Sequence, residues 1–264
     1  MRPTKTEEVV VQGRRVRWRT TGAGPPLVLV HGLSGSARWW ASVSPTLAER
    51  YETHLLDLPP FGSALQPDRV SEWLAAWADT VGIRRLRLAG HSLGGAAAAG
   101  LAAAEPDRVE ALALVAPTGI RSGRRLVGYA LPLVTALRDA GPAFVATLAL
   151  DALRGGPESL VRGALYASGA DIRERARSIR APTLLVWGAR DPLVPPALAE
   201  EWQRAIPHAR LVTLAGVGHV PMVERPDELA AVLRDFFDES CDDVGGGPVR
   251  GVRSAGDDGE TAAR

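Results

Sequence analysis

Arg85-Leu86-Arg87-Leu88-Ala89-Gly90-His91-Ser92-Leu93-Gly94-Gly95-Ala96-Ala97 is the stretch on which the fold of this chain turns. An alternating apolar strand pattern runs into Gly90, and an Ala-rich helical run leaves Ser92 and ends near Glu105-Pro106. A G-x-S-x-G string alone arises easily by chance. Set between an apolar strand and an apolar helix, it has the context of the nucleophile elbow. Such a turn strains the serine backbone and projects its Oγ from the edge of the sheet. Glycine two residues before and after avoids Cβ clashes with the facing strand and helix, and the helix start directs N–H groups and a positive dipole end to that point. The plainer reading, Ser92 as a mere helix N-cap, loses weight once the rest of the chain supplies partners for the hydroxyl.

Outward from this turn, strands and helices alternate. Residues 8–20 read as a hairpin turning at Gln12-Gly13. Residues 26–30 are a continuous apolar run ending at His31-Gly32, the pattern of a strand buried on both faces. A helix is expected around 39–50, a strand at 53–58 stopped by Pro59-Pro60, and a helix at 70–81 ending at Gly82. Beyond the turn, strands are expected at 111–116, 182–187 and 210–214, with helices at 196–206 and 226–237. The alternation specifies an α/β fold, a mostly parallel, doubly wound sheet covered on both faces. One stretch breaks the rhythm. Between Pro117 and Ala181 lie helix-like segments at 126–137, 143–153 and 159–167 but no convincing strand. The expected organisation is therefore an α/β core from 1–119 and 181–238, a helical cap inserted at 120–180, and a disordered Gly/Asp/Arg-rich tail at 239–264.

Four segments together resemble the α/β-hydrolase family: His31-Gly32-Leu33-Ser34-Gly35, Gly90-His91-Ser92-Leu93-Gly94-Gly95, Trp187-Gly188-Ala189-Arg190-Asp191-Pro192-Leu193-Val194-Pro195, and Gly216-Val217-Gly218-His219. Nearly all of residues 8–238 can be laid onto that family. The resemblance implies a serine nucleophile, a histidine base and a carboxylate that orients it, in the chain order Ser…Asp…His. It is far more specific for the fold and this triad than for a substrate.

A serine hydroxyl becomes a good nucleophile when a neighbouring base takes its proton, and a neutral imidazole has a suitable pKa. Five histidines compete. His54 lies within a strand pattern, His91 in the elbow faces away from Ser92, His31 ends a strand, and His208 lies in a turn at the opposite end of the sheet. His219 alone sits in a loop just after a strand, at the carboxyl end where ligands gather in open α/β sheets. Asp191 follows the strand ending at Gly188. The other place where relatives carry the acid reads Val115-Ala116-Pro117-Thr118-Gly119 here, without a carboxylate. Asp57 also ends a strand but comes too early in the family's order. Locally Asp191 could also be a turn-former before Pro192. By resemblance, the backbone N–H groups of Leu33 and Leu93 form the oxyanion hole.

Composition excludes several other classes. The 31 basic and 30 acidic residues leave a formal charge of +1, which gives no electrostatic footprint for nucleic acid. A single cysteine, Cys241, rules out an internal disulfide scaffold and makes a reducing cytoplasm the default. No signal-peptide pattern opens the sequence, and the longest apolar run, 93–104, is too short to span a membrane. No metal-ligand spacing or phosphate-binding glycine loop appears, so no cofactor is implied. Serine in the elbow argues against the dehalogenase and epoxide-hydrolase branches of the family, which use aspartate there.

In Asp57-Leu58-Pro59-Pro60-Phe61-Gly62, Pro60 replaces the glycine usual in the family's D-x-P-G-x-G loop, which implies a stiffer rim. Substrate choice should lie in the cap. Its apolar residues (Leu126, Val127, Tyr129, Leu131, Phe144, Leu148, Leu165, Tyr166) suggest an apolar roof, although half or more would simply pack the cap on the sheet. Trp39 and Trp40, after the loop that follows His31, could line the pocket or sit in the core, with core the favoured reading. The expected activity is hydrolysis of an ester of a small, apolar molecule. C–C bond hydrolysis or acyl transfer would use the same triad, and a non-catalytic small-ligand binder could keep the fold.

Overall fold

The computed structural model describes residues 4–60, 65–121, 123 and 126–242. Eight strands form one sheet: β1 (Lys5–Val11), β2 (Arg14–Thr21), β3 (Pro26–Val30), β4 (Glu52–Leu56), β5 (Leu86–His91), β6 (Val109–Val115), β7 (Thr183–Gly188) and β8 (Arg210–Leu214). Their spatial order is β1-β2-β4-β3-β5-β6-β7-β8. The β1–β2 hairpin pairs antiparallel, β2 joins β4 antiparallel, and every pairing from β4 to β8 is parallel. The hairpin turns at Gln12 and Gly13, whose φ values of 48° and 77° suit a tight two-residue turn.

The period-two alternation of the strands divides the core into two layers. Val28, Val30, Leu86, Leu88, Leu112, Leu114, Leu185 and Trp187 face one side. There they meet α2 (Val70–Thr80), α3 (Leu93–Ala104), α6 (Arg173–Ala176) and α7 (Ala197–Ala205). Leu27, Leu29, Ala111, Ala113, Val115, Leu184 and Val186 face the other side, against α1 (Ser44–Leu47) and α9 (Pro226–Asp242). Small residues on α3 allow close approach. A Cβ on Gly100 would stand 2.3 Å from the Ser71 hydroxyl of α2, and Ser71 Oγ donates to the Ala97 carbonyl at 3.0 Å.

Between β6 and β7 the described chain is helical: a 3-10 turn (Leu126–Tyr129), α4 (Ala130–Ala140) and α5 (Pro142–Gly169), with α6 leading back into the sheet. Two Gly-Pro steps set the bends. Gly141 (φ 83°) separates α4 from α5, and Gly156 (φ 76°) divides α5 into two segments, each glycine followed by a proline that starts the next helix. Left-handed glycine ends one helix and proline suits the first turn of the next.

Several element limits differ from the sequence reading. The expected helix at 39–50 is only a 3-10 turn (Ala37–Trp40) and the single turn of α1, because Pro45 allows a helix to start there but not to pass through. β4 stops at Leu56, one residue before Asp57, whose side chain accepts a hydrogen bond from Ala37 N–H at 2.7 Å. α9 continues to Asp242, so residues 239–242 are helical. The remainder of the expected tail, 243–264, lies outside the described residues, as do Phe61 and Gly62 of the Pro59-Pro60 loop. Among the described residues no helix is long and apolar enough to cross a membrane.

Candidate active site

Ser92 sits between β5 and α3 with φ 53° and ψ −117°, a conformation that costs an L-residue about 1–3 kcal/mol. The surrounding backbone holds it there. Ser92 N–H donates to Val115 C=O at 3.0 Å, and its own carbonyl accepts from Ala96 at 3.1 Å and Thr118 at 3.0 Å. The flanking glycines are required by contact. A Cβ on Gly90 would lie 2.4 Å from the Gly94 carbonyl oxygen, and one on Gly94 only 2.3 Å from that of His31. Gly32 abuts the same turn, since a Cβ there would meet Ser92 Cβ at 3.2 Å.

The loops after β7 and β8 are laced together. Ala189 N–H donates to Leu214 C=O at 2.9 Å and Arg190 N–H to Val217 C=O at 2.8 Å. This lacing brings Asp191 to His219, whose Nδ1 donates to Asp191 Oδ2 at 2.7 Å. The Asp191 side chain is fully buried and that of His219 is 8 % exposed. Asp191 Oδ1 accepts from the N–H groups of Leu193 (2.8 Å) and Val194 (2.9 Å), which fixes the carboxylate's orientation. With Nδ1 carrying the proton, His219 Nε2 is left as the acceptor. No hydrogen bond joins Ser92 to His219 among the described residues. Their proximity is carried by His91, the neighbour of Ser92, whose ring lies 4.8 Å from that of His219.

Two groups that the sequence reading passed over hold the His219 backbone. Glu224, in the short helix α8 (Pro221–Glu224), accepts from Gly218 N–H at 2.7 Å and Val220 N–H at 3.0 Å, the two amides flanking His219. His91 Nε2–H donates to the His219 carbonyl at 2.9 Å. The His219 backbone is thus fastened from both chain directions and, through His91, to the serine turn. The only sequence signal for Glu224 is an acidic residue in the otherwise apolar run between His219 and Arg225.

The remaining histidines are structural. His31 Nδ1–H donates to Gly32 C=O at 2.8 Å and Nε2 accepts from Leu58 N–H at 3.0 Å, tying the loop after β3 to the loop after β4. Burial holds His31 below the usual histidine range. Burial first, then the neighbouring His219, pushes His91 well below it. Burial also lowers His54, which packs edge-on against Trp77. His208 donates to Ala181 C=O at 3.0 Å, at the far end of the sheet.

Leu33 N–H has no hydrogen-bond partner among the described residues, and Leu93, first in α3, has an N–H with no intrahelical acceptor. Trp40 is fully buried, as expected for core. Trp39 lies between the site and the inserted helices, 5.8 Å from the ring of His91 and 4.9 Å, edge-on, from that of Phe144 on α5. The apolar roof is only partly present. Phe144 is buried and Tyr166 and Leu148 pack inward, but Leu131 and Leu165 are 75 % and 54 % exposed. The side chains of Leu126 and Val127 lie outside the described residues. Beside the loop after β3 lies instead a cavity of about 360 Å³ with many polar lining groups. Among the described residues no group of three His, Cys, Asp or Glu side chains is arranged to hold a metal ion.

Comparison with known proteins shows the family and agrees with the fold. The model of the alpha/beta hydrolase family matches residues 27–232. The chain is 35% identical over 262 residues to the dihydrolipoyllysine-residue acetyltransferase component of the acetoin cleaving system of Pseudomonas putida, covering 89% of this chain and 69% of that protein. It is 29% identical over 244 residues to the pimeloyl-[acyl-carrier protein] methyl ester esterase of Aeromonas hydrophila, covering 81% of this chain and 96% of the relative. Among solved structures, a bacterial membrane phospholipase A superposes with a TM-score of 0.75 at 29% identity, over 90% of this chain and 87% of that one.

Proposed function

The chain belongs to the alpha/beta hydrolase family, and on that premise we propose that it hydrolyses an ester of a small molecule through an acyl-enzyme on Ser92. His219 Nε2 takes the Ser92 proton as Oγ attacks the carbonyl carbon. The resulting oxyanion is held by Leu33 and Leu93 N–H, each donor contributing on the order of 10²–10³ in rate. His219 then gives the proton to the departing alcohol, and a water activated by the same imidazole releases the acid. Asp191 keeps the Nδ1–H tautomer and stabilises the imidazolium. The inserted helices at 120–180 act as the cap.

The observation that carries this reading is the buried 2.7 Å Asp191–His219 bond, on a loop fastened to the residue next to a serine held at φ 53°. The absence of a direct Ser92–His219 bond is compatible with it, because such bonds often tighten only when substrate binds. Relatives named as methyl ester esterases support ester hydrolysis. The test is turnover of a panel of p-nitrophenyl and methyl esters. Ser92→Ala and His219→Ala should lower kcat by roughly 10⁴–10⁶, and Asp191→Asn somewhat less. Undiminished hydrolysis by Ser92→Ala would overturn the proposal.

A further inference from the structure

The 360 Å³ cavity is bounded by the loop after β3 (Gly32, Ser34, Ser36), the loop after β4 (Asp57, Leu58), Arg19 of β2, and Asp151 and Arg154 of α5. Its wall at Gly32 abuts Ser92. The volume falls in the range of small-molecule sites. Three guanidinium groups and two carboxylates line it, beside Leu58, Pro59 and Pro60.

Most of those charges are already matched. Asp151, with a side chain only 2 % exposed, binds Arg38, accepts from Ser36 Oγ at 2.8 Å and lies 3.4 Å from Arg154. One carboxylate thus serves two guanidinium groups. Asp57 Oδ1 is taken by Ala37 N–H. Arg19, half-buried in β2, has no ion pair or hydrogen bond among the described residues, and Ser34 Oγ likewise has none. Among the described lining residues three arginines stand against two aspartates, and burial lowers the pKa of His31 beside them. A half-buried guanidinium without a partner gains most from an anion that can take two parallel N–H bonds.

We propose that this cavity is a carboxylate subsite, in which Arg19 binds the acidic end of a substrate whose ester lies at Ser92. The inference deepens the function proposed above and rests on it for the placement of the ester. It replaces the apolar acid expected from the sequence with a half-ester of a dicarboxylic acid, or a similarly acidic ester.

The test is calorimetric titration of Ser92→Ala protein with monomethyl adipate, which is anionic, and dimethyl adipate, which is neutral and of nearly the same shape. The half-ester should bind about tenfold or more tightly than the diester. Arg19→Gln in the same background should bring the two within about twofold, and Arg19→Lys, which keeps the charge without the fork, should retain part of the preference. Equal affinities, binding of neither ester, or a preference that survives Arg19→Gln in a protein of unchanged melting temperature would each overturn the subsite. The hydrolase reading fails separately. If the half-ester binds through Arg19 but no ester is turned over by the wild-type protein, the subsite stands and the chemistry assigned to Ser92 does not.

Discussion

At the scale of single residues, main-chain hydrogen bonds hold the site. Glu224 binds no side chain of the triad, yet both its oxygens are spent on the amides flanking His219. Removing the carboxylate leaves the Asp191–His219 pair but frees the loop that aims Nε2. Glu224→Ala should therefore lower kcat by about tenfold to a hundredfold with KM near the wild-type value, and Glu224→Gln, with one acceptor oxygen left, should fall between. A wild-type kcat for Glu224→Ala on steady-state ester hydrolysis would show that the brace is not needed. Ser92, Asp191 and His219 were candidates from the sequence because each stands in a turn or loop just after a strand. The bracing roles of Glu224 and His91 could not be read there, because their partners are backbone atoms that carry no residue identity.

At the scale of elements, α5 is pinned to the sheet domain by Asp151, a lone acid in an apolar helical stretch, and by Phe144 against Trp39. Asp151→Ala would strand Arg38 and Ser36. The loss should be about 2 kcal/mol in chemical denaturation, less than for a fully buried pair because the Arg38 side chain is 32% exposed. A change under about 0.5 kcal/mol, the size of an ordinary surface substitution, would mean the pin carries little. The strands were legible because β3 and β5 to β7 are buried on both faces and read as apolar runs bounded by Gly and Pro. The sequence pattern marked helical segments at 126–137, 143–153 and 159–167 but not the bends at the Gly141-Pro142 and Gly156-Pro157 steps. What the pattern obscured was direction: Leu131 and Leu165 share a helical periodicity with inward residues but face outward, 75% and 54% exposed.

At the scale of the whole molecule, three buried histidines weaken the fold in acid. His31, His54 and His91 are all held below the ordinary histidine pKa, burial being the largest cause in each. A depressed folded pKa means that the unfolded chain binds protons first as pH falls. Stability from this source is complete above about pH 6.5, the ordinary unfolded value, and declines as pH drops through that value towards the folded ones. The melting temperature should therefore be level from pH 7 to 8 and fall steadily from 6.5 to 5. Replacing His54, which lies away from Ser92, by Gln should make that fall shallower. A melting temperature that rises or stays constant between pH 6.5 and 5 would contradict the assignment of these rings as neutral.

The fold-level claim, a strained serine aimed by a sheet edge at a braced imidazole, is tested most directly by covalent labelling. The protein is treated with a fluorophosphonate at pH 7.5 and digested, and the adduct is located by mass spectrometry. One adduct per chain on Ser92, formed far more slowly in His219→Ala and not at all in Ser92→Ala, is the expected result. An adduct on another residue, or equal labelling rates with and without His219, would contradict the account.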